Sequence, residues 1–336
     1  MEFRILGRTN LRVSALSIGS WQISGPLTLE GRADGFPDPG RRQVIDLIRS
    51  CEDLGLNLID TAELYGDGEG ERRIGEAVRG RRDRWILATK FGMRKGASGQ
   101  RIVDSHPSVI RPSLESSLRR LQTDHVEIYL YHSPPDTNTI PEARETLETL
   151  KKEGKIRFYG ISTNDPGVLR QLVNHNAVDV VLLSQSLLTH PYELLKIARK
   201  HNLGVMIRGA LERGCLSGKY FKLKPEFSEQ DIRRRDFRHV DFTRYCTYER
   251  ILPPGASMSD FALRYLMDFD TTHTIVLGGR SIEQYCSAVR TLGLPPLSPK
   301  THREVCKIRR RLLGSSLPSE FLRRIYREVK QLLSRA

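Results

Sequence analysis

Short apolar runs alternate with amphipathic stretches along most of the chain. The apolar runs predict eight strands, at residues 15–19, 58–60, 85–90, 128–132, 158–162, 180–185, 204–208 and 274–277. Stretches with apolar residues at three- and four-residue spacing predict helices between them, at 71–78, 108–121, 140–152, 168–175, 192–201, 259–267 and 282–292. Because a helix between two strands forces parallel pairing, eight strand–helix units favour an α/β fold closed into a (β/α)8 TIM barrel.

Two terminal segments lie outside the eightfold pattern. Residues 3–13 predict a β-hairpin that turns at Thr9-Asn10 and plugs one end of the barrel, and the C-terminal segment predicts two basic helices, the second beginning near Pro318. No Gly/Ser/Pro-rich linker divides the chain. We therefore expect a single domain, 1–336, with the hairpin at 1–14, the barrel at 15–298 and the helical extension at 299–336. Two long loops, 22–40 and 209–257, follow strands and should lie on the functional rim.

The composition excludes several classes of protein. With 38% hydrophobic and 28% charged residues among 336, the chain can bury a sizeable core. No run reaches the ~20 apolar residues of a membrane span, and the start MEFRILGR does not resemble a secretory signal. The five cysteines are scattered without metal-binding spacing. We expect a cytoplasmic protein with reduced thiols, no metal site and no membrane association.

The net charge of +14 indicates either an anionic partner or a solvated basic surface. Nucleic acid, acidic membrane and a phosphorylated small molecule are the three classes of partner that such an excess allows. Residues 300–336 hold 11 Lys+Arg and 3 Asp+Glu, so more than half of the excess lies in this segment, headed by Arg309-Arg310-Arg311. A solvated helix face is the simplest interpretation of that segment, with an acidic partner or an anionic substrate as the alternatives. No nucleic-acid motif is present, and nucleic-acid binding is not expected.

Polar residues end several of the predicted strands. Asp60, Lys90 and His132 end the second, third and fourth, and Tyr65 follows Asp60 on a short loop closed by Gly66. Because all strands of a parallel barrel end on the same rim, these four side chains should meet there. An acid, a lysine, a tyrosine and a histidine at one mouth indicate a proton-transfer site.

The chemistry of these groups suggests their roles. A carbonyl that accepts a hydride needs a proton donor near its oxygen, and tyrosine, with a pKa of ~10, is a weak acid at neutral pH. Lys90, held by Asp60, is expected to bring that pKa toward ~7, which corresponds to about 4 kcal/mol of differential stabilisation. His132 is expected to donate a hydrogen bond to the substrate oxygen.

Four sequence segments together resemble the aldo-keto reductase superfamily: GLNLIDTAELYGDGEGE (55–71), ILATK (86–90), SLRRLQTDHVEIYLYH (117–132) and GKIRFYGIS (154–162). The resemblance extends from about residue 3 to residue 292. It implies a (β/α)8 barrel that binds NADPH, with NADH possible, and uses no metal. The matching catalytic positions are Asp60, Tyr65, Lys90 and His132, with Tyr65 as the general acid in the reduction of an aldehyde or ketone.

The same resemblance implies a set of cofactor-binding residues. Ser162 and Asn164 would hold the nicotinamide carboxamide, the backbone of Leu211, Gly214 and Leu216 would lie over the pyrophosphate, and Arg280 and Ser281 would meet the adenosine 2′-phosphate. The remaining expected contacts are Gly19, Ser20, Trp21, Gln185, Arg208, Lys219, Gly278, Gly279 and Gln284.

Three positions depart from the pattern that the family usually shows. Leu182 replaces a glutamine beneath the nicotinamide, and Ser287 and Ala288 replace the adenine contacts Glu and Asn. Oxidation of a sugar or polyol alcohol with NAD(P)+ is therefore an alternative function. A second alternative is a nicotinamide-binding accessory subunit without turnover, as in the β subunits of potassium channels. The predicted partner is a small carbonyl or sugar compound, and no oligomeric state is predicted.

Overall fold

A computed structural model describes residues 1–313 of the chain. Eight parallel strands close into a barrel in sequence order. They are β1 (Leu16–Gly19), β2 (Leu58–Asp60), β3 (Ile86–Phe91), β4 (Val126–Tyr131), β5 (Ile156–Ser162), β6 (Val180–Ser184), β7 (Gly204–Arg208) and β8 (Thr274–Leu277). Strand β8 pairs with β1 through Ile275 and Leu16, which closes the sheet. The predicted (β/α)8 barrel is confirmed.

Helices surround the sheet, and each helix predicted between the strands has a counterpart. The helices are α1 (Arg41–Asp53), α2 (Glu69–Val78), α3 (Pro107–Leu121), α4 (Ile140–Lys152), α5 (Pro166–Asn174), α6 (Tyr192–Lys200), a short α7 (Arg233–Asp236), α8 (Met258–Met267), α9 (Ile282–Thr291) and α10 (Pro299–Leu313). Helix α1 and the short α7 were not predicted. Odd and even positions of the strands separate into two layers, as strand geometry requires. On β6, for example, Val180 and Leu182 face the barrel interior, whereas Val181 and Leu183 pack against the helices.

The N-terminal hairpin covers one end of the barrel. Its strands, Phe3–Ile5 and Arg12–Ser14, are antiparallel, and Leu6, Leu11 and Val13 join the cluster inside the barrel. Gly7 makes this seal possible, because it has a φ of +50° and a Cβ there would approach Leu203 C within 2.4 Å. The predicted plug is therefore present, with a 3-10 turn at Gly7–Thr9 before Asn10.

The sequence pattern missed the small elements within the loops. Two further hairpins are present, Thr28–Leu29 with Arg32–Ala33 and Met93–Lys95 with Arg101–Val103. Short 3-10 helices occupy Trp21–Ile23, Arg82–Arg84 and Thr137–Thr139, a longer 3-10 stretch occupies Phe242–Ile251, and Glu212–Ser217 forms 3-10 turns interrupted by a kink. Strands of two or three residues are too short to show a hydrophobic period, which is why the pattern did not reveal them.

The C-terminal helix α10 corrects one expectation about charge. Arg309 is only 1% exposed, whereas Arg311 is exposed. The interpretation of the Arg309-Arg310-Arg311 run as a wholly solvated face is therefore wrong at Arg309. The second predicted C-terminal helix, from Pro318, lies outside the described residues.

Candidate functional site

The predicted catalytic residues come together at the carboxyl ends of neighbouring strands. Asp60 ends β2, Lys90 is the penultimate residue of β3 and His132 follows β4 directly. Lys90 Nζ donates to Asp60 Oδ2 at 2.8 Å, to Thr61 O at 2.6 Å and to Tyr65 Oη at 3.4 Å. The ion pair is almost completely buried, with 1% of the Lys90 side chain and 6% of the Asp60 side chain exposed.

Tyr65 lies between two other rings of the site. Its ring packs edge-on against His132 at a centroid distance of 5.7 Å and stacks on Trp21 at 6.1 Å. The loop that carries Tyr65 is fixed at Gly66, which has a φ of +59° and lies so close to Ser24 that a Cβ would be 2.1 Å from Ser24 O. Only glycine fits this position, and the close approach sets the direction of Tyr65.

Burial dominates the electrostatics of the tyrosine. Burial raises the pKa of Tyr65 above its ordinary value; Lys90 lowers it and Asp60 raises it. The expectation that Lys90 brings the pKa of Tyr65 toward 7 is therefore wrong for the protein without ligands. Burial also acts to lower the pKa of Lys90, but Asp60 and Tyr65 outweigh it and raise that pKa. The site thus holds a protonated tyrosine beside a lysine cation.

His132 is neutral in this environment. Burial, followed by the charges of Lys90, Arg208 and Arg101, holds the pKa of its imidazole well below the usual range. Its Nδ1 atom is buried and has no hydrogen-bond partner among residues 1–313. A neutral imidazole carries one N–H donor, which suits a hydrogen bond to a carbonyl oxygen.

Two carboxylates that the sequence analysis missed, the buried Glu71 and the half-buried Glu63, support the loop that carries Tyr65. Glu71, with no exposed surface, accepts from Thr89 Oγ1 at 2.6 Å and from Arg120 Nε at 2.6 Å, so it ties α2 to β3 and α3. Glu63 accepts from Gly92 N at 3.1 Å. Burial, followed by the charge of Glu71, raises the pKa of Glu63 to about 7. The sequence feature that could have indicated the role of Glu71 is its position as an acidic residue on the first turn of an amphipathic helix.

Most residues predicted to contact the nicotinamide end of a cofactor lie on the same rim. Ser20 follows β1 and its Oγ is buried, and Arg208 ends β7 with a buried Nε; neither atom has a hydrogen-bond partner within the described part of the chain. Ser162 ends β5. Asn164 Oδ1 accepts from Ser184 N at 2.9 Å, which fixes its amide between β5 and β6.

Gln185 is the exception. It is fully buried, and its Nε2 lies 3.4 Å from Nδ1 of His190, whose ring packs on Phe269 of the outer layer. Gln185 has the same strand parity as Val181 and Leu183, which face the helices. The structure therefore does not bring its side chain to the rim with the other predicted cofactor residues.

The segment predicted to cover the pyrophosphate forms a tight turn after β7. Glu212, Arg213 and Gly214 all have positive φ values, an unusual run for two residues other than glycine. The amides of Gly214 and Leu216 both donate to Leu211 O, at 2.8 and 3.2 Å. Lys219 follows, with its amide donating to Ser217 Oγ at 3.3 Å. Gly214 and Leu216 would have to release these bonds to bind a phosphate.

The predicted 2′-phosphate turn follows β8. Gly279 N donates to Tyr285 Oη at 3.3 Å, and a Cβ on Gly279 would lie 2.5 Å from the ring of Tyr285, so a side chain is sterically excluded there; a Cβ on Gly278 would displace the side-chain amide of Gln22. Arg280 N donates to Gln284 Oε1 at 2.7 Å, and its Nη2 donates to Pro37 O at 2.9 Å. Ser281 is the N-cap residue of α9.

The two long loops meet above this turn. Ile232 N donates to Gly35 O at 3.0 Å, and the guanidinium of Arg233 lies 5.3 Å from the ring centroid of Phe36. Phe36 in turn packs edge-on against Trp21 at 5.1 Å. The loops predicted to be functional are therefore joined to each other and to the aromatic wall of the site.

Comparison with known proteins decides the family. Residues 15–310 match the model described as the Aldo/keto reductase family. The chain belongs to the aldo/keto reductase family. Among similar proteins of this family, aldo-keto reductase YhdN of Bacillus subtilis is 30% identical over 83% of this chain and 85% of its own length. The NADH-specific methylglyoxal reductase of Escherichia coli is 32% identical over 63% of this chain and 68% of its own length.

Solved structures agree with this aldo/keto reductase assignment. The glycerol dehydrogenase AKR11B4 of Gluconobacter oxydans has a TM-score of 0.80 and 27% identity, over 94% of this chain and 97% of its own. The holo form of AKR11C1 from Bacillus halodurans has a TM-score of 0.77 and 27% identity, over 96% and 99% of the two chains. The predicted enzyme class, an NAD(P)H-dependent oxidoreductase, is confirmed.

The described residues 1–313 contain neither a membrane-spanning helix nor a metal-binding cluster. None of their helices has the length and apolar character needed to cross a membrane. Within residues 1–313, no group of three or more His, Cys, Asp or Glu side chains could hold a metal ion.

Proposed function

We propose that this aldo/keto reductase uses NADPH to reduce an aldehyde or ketone to the alcohol. The observation that carries the proposal is the contact of Lys90 Nζ with Tyr65 Oη at 3.4 Å, in a site where burial keeps the tyrosine protonated. A protonated phenol beside a cation can give its proton to a carbonyl oxygen as negative charge develops there. A protonated Tyr65 is the form that carbonyl reduction requires.

The residues on the rim fit a nicotinamide cofactor, which would supply the hydride. Ser20 Oγ, His132 Nδ1 and Arg208 Nε are buried polar atoms without partners among residues 1–313. Buried polar atoms without partners are rare in native proteins, and a polar ring system on this rim would satisfy them. Ser162 and Asn164, at the end of β5 and just beyond it, would hold the carboxamide.

Each catalytic side chain then has a distinct task. Tyr65 donates the proton, and Lys90 stabilises the phenolate that remains. Asp60 keeps Lys90 charged and oriented through the 2.8 Å ion pair. Neutral His132 donates a hydrogen bond to the substrate oxygen and aims it at Tyr65. Trp21 and Tyr65 form an aromatic wall that excludes water from the reacting carbonyl.

Arg280 supports a preference for NADPH. Burial, followed by repulsion from Arg233, lowers the pKa of Arg280. A phosphate that binds beside a guanidinium under this repulsion stabilises its positive charge. The NADH-specific relative from Escherichia coli keeps NADH open as a second cofactor for this chain.

Oxidation of a polyol alcohol is the second candidate function, favoured by the similarity to a glycerol dehydrogenase. A panel of aldehydes, ketones, sugars and polyols, assayed with NADPH, NADH, NADP+ and NAD+, separates the two. Carbonyl reduction with NADPH should give the highest kcat/KM. Faster polyol oxidation would overturn the proposed direction, and tight cofactor binding without turnover of any compound would favour the accessory-subunit alternative.

A further inference from the structure

Arg309 of α10 is an arginine inside the protein without a carboxylate partner. It is 1% exposed, and it makes no ion pair among residues 1–313. Its Nε donates to Leu187 O at 2.7 Å, and its Nη2 donates to Tyr265 Oη at 2.8 Å and to Ser186 O at 3.5 Å. Arginine does not lose its proton in proteins, so a charge is held here by carbonyl and hydroxyl dipoles.

Burying an unpaired charge is unfavourable for folding unless other interactions or a function compensate for the cost. Helix α10 is docked by His302 as well, whose Nε2 lies 2.8 Å from Asp268 Oδ2, and by an apolar face that includes Val305. A leucine or methionine at position 309 would therefore be sufficient to pack α10 against the protein. The planar fork of the guanidinium instead fixes two successive carbonyls of one turn.

That turn, Ser186 to Thr189, connects the outer layer to the cofactor rim. Ser186 Oγ donates to Glu212 Oε1 at 2.6 Å, and Thr189 Oγ1 donates to the same oxygen at 3.3 Å. Glu212 begins the run of positive φ values in the segment predicted to cover the pyrophosphate. Leu187 O also accepts from Tyr248 Oη at 3.0 Å, so the long loop after β7 is held by the same turn.

We propose that Arg309 is a positioning residue for cofactor binding, which fixes the Ser186–Thr189 turn and through it Glu212 and the pyrophosphate segment. The inference rests on the proposed function, because it assumes that a dinucleotide binds along this rim. It assigns a role to the one C-terminal arginine of the run that is fully buried. Arg309 lies outside the eightfold repeat, and its hydrogen bonds go to the Ser186–Thr189 turn and to Tyr265.

The test compares Arg309→Met with Arg311→Met, a matched change at an exposed position of the same helix. Calorimetry on the purified full chain measures Kd for NADPH, for 2′-phospho-ADP-ribose, which lacks nicotinamide, and for 2′-AMP, which also lacks the pyrophosphate. Arg309→Met should raise Kd about tenfold for the first two and less than about twofold for 2′-AMP. Arg311→Met should change none of them. Equal weakening of all three ligands, or no weakening, would overturn the proposal.

A second variant keeps the test decisive if Arg309→Met does not fold. Ser186→Ala removes the hydroxyl that holds Glu212 and leaves Arg309 in place, and it should weaken the same two ligands in the same pattern. In the double variant the losses should be clearly less than additive, because both changes act through one turn. Additive losses, or a Ser186→Ala variant with wild-type affinities, would contradict the inference. A wild-type chain that binds none of the three ligands would instead overturn the proposed function itself.

Discussion

The two sides of the rim that we propose for catalysis and for cofactor binding are built differently. On the proposed catalytic side, Lys90 contacts both Asp60 and Tyr65 directly, and Asp60 and Lys90 belong to strands. On the cofactor side, Gly214 and Leu216 donate to a carbonyl of their own turn, within loops that are joined to other loops. The proposed catalytic contacts are therefore in place before any ligand binds, whereas the proposed pyrophosphate segment would have to exchange internal hydrogen bonds for bonds to a phosphate.

The largest effect is expected from breaking the assembled side. Lys90→Met leaves Asp60 buried without its cation, which should lower the free energy of unfolding by about 3–5 kcal/mol. It also removes the charge that stabilises the phenolate of Tyr65, so kcat should fall about 10³-fold. Urea denaturation and steady-state assays measure both. Lys152→Met, at an exposed position of α4, is the control. A Lys90→Met enzyme with near wild-type turnover would show that the pair is only structural.

Glu63 gives a pH test of the same side. Its pKa is about 7 in the folded protein, above its ordinary value. Between its unfolded and folded pKa values the native state therefore binds more protons, and stability falls as pH rises from about 4.5 to 7. Glu63→Gln should remove up to about 2 kcal/mol of this fall. Urea denaturation at pH 5 and pH 8 measures it, with exposed Glu145→Gln as the control. If the free energy of unfolding changes equally between pH 5 and pH 8 in wild type and Glu63→Gln, the expectation is refuted.

On the cofactor side, Arg280 is expected to decide between the two nicotinamide cofactors. Arg280→Met should raise KM for NADPH about tenfold through loss of a charge-assisted bond to the 2′-phosphate. KM for NADH, which lacks that phosphate, should change little. Arg290→Met, at an exposed position of α9, is the control. Equal increases in KM for NADPH and NADH would indicate that Arg280 acts only through its hydrogen bond to Pro37 O in the loop.

The smallest effect is expected in the pyrophosphate segment. Gly214 has a φ of +103°, and a Cβ there would lie 3.3 Å from the ring of Tyr220. Gly214→Ala should therefore raise Kd for NADPH about threefold, because the turn is strained. Gly255→Ala is the control, since Gly255 also has a positive φ and its Cβ would meet nothing within 4 Å. Equal affinities of the two variants would place the cofactor away from this turn.

The difference between the two sides also explains how far the sequence could predict the molecule. Asp60, Lys90 and His132 stand at the ends of apolar runs, and the geometry of a parallel barrel brings such residues to one rim. Gln185 was placed on the rim although Val181 and Leu183, of the same strand parity, pack against helices. The two-residue period, continued past the end of β6, predicts instead that the side chain of Gln185 faces the helices.

Other features have no local signal in the sequence. Arg309 stands in a run of three arginines, and only the docking of α10 against residues distant in the chain, such as Leu187 and Tyr265, buries it. The pKa of Tyr65 depends on how completely the rim encloses the ring, which charge counting does not capture. The bonds of Gly214 and Leu216 to Leu211 O depend on a loop conformation rather than on a hydrophobic period.

The most direct test of the proposed mechanism is Tyr65→Phe, which removes one hydroxyl and keeps the ring that packs on Trp21 and His132. Turnover of the best carbonyl substrate and quenching of protein fluorescence by NADPH are measured on the same preparation. The proposal predicts that kcat falls about 10³-fold while Kd for NADPH changes less than about twofold. A variant that keeps wild-type turnover would contradict the assignment of Tyr65 as the proton donor.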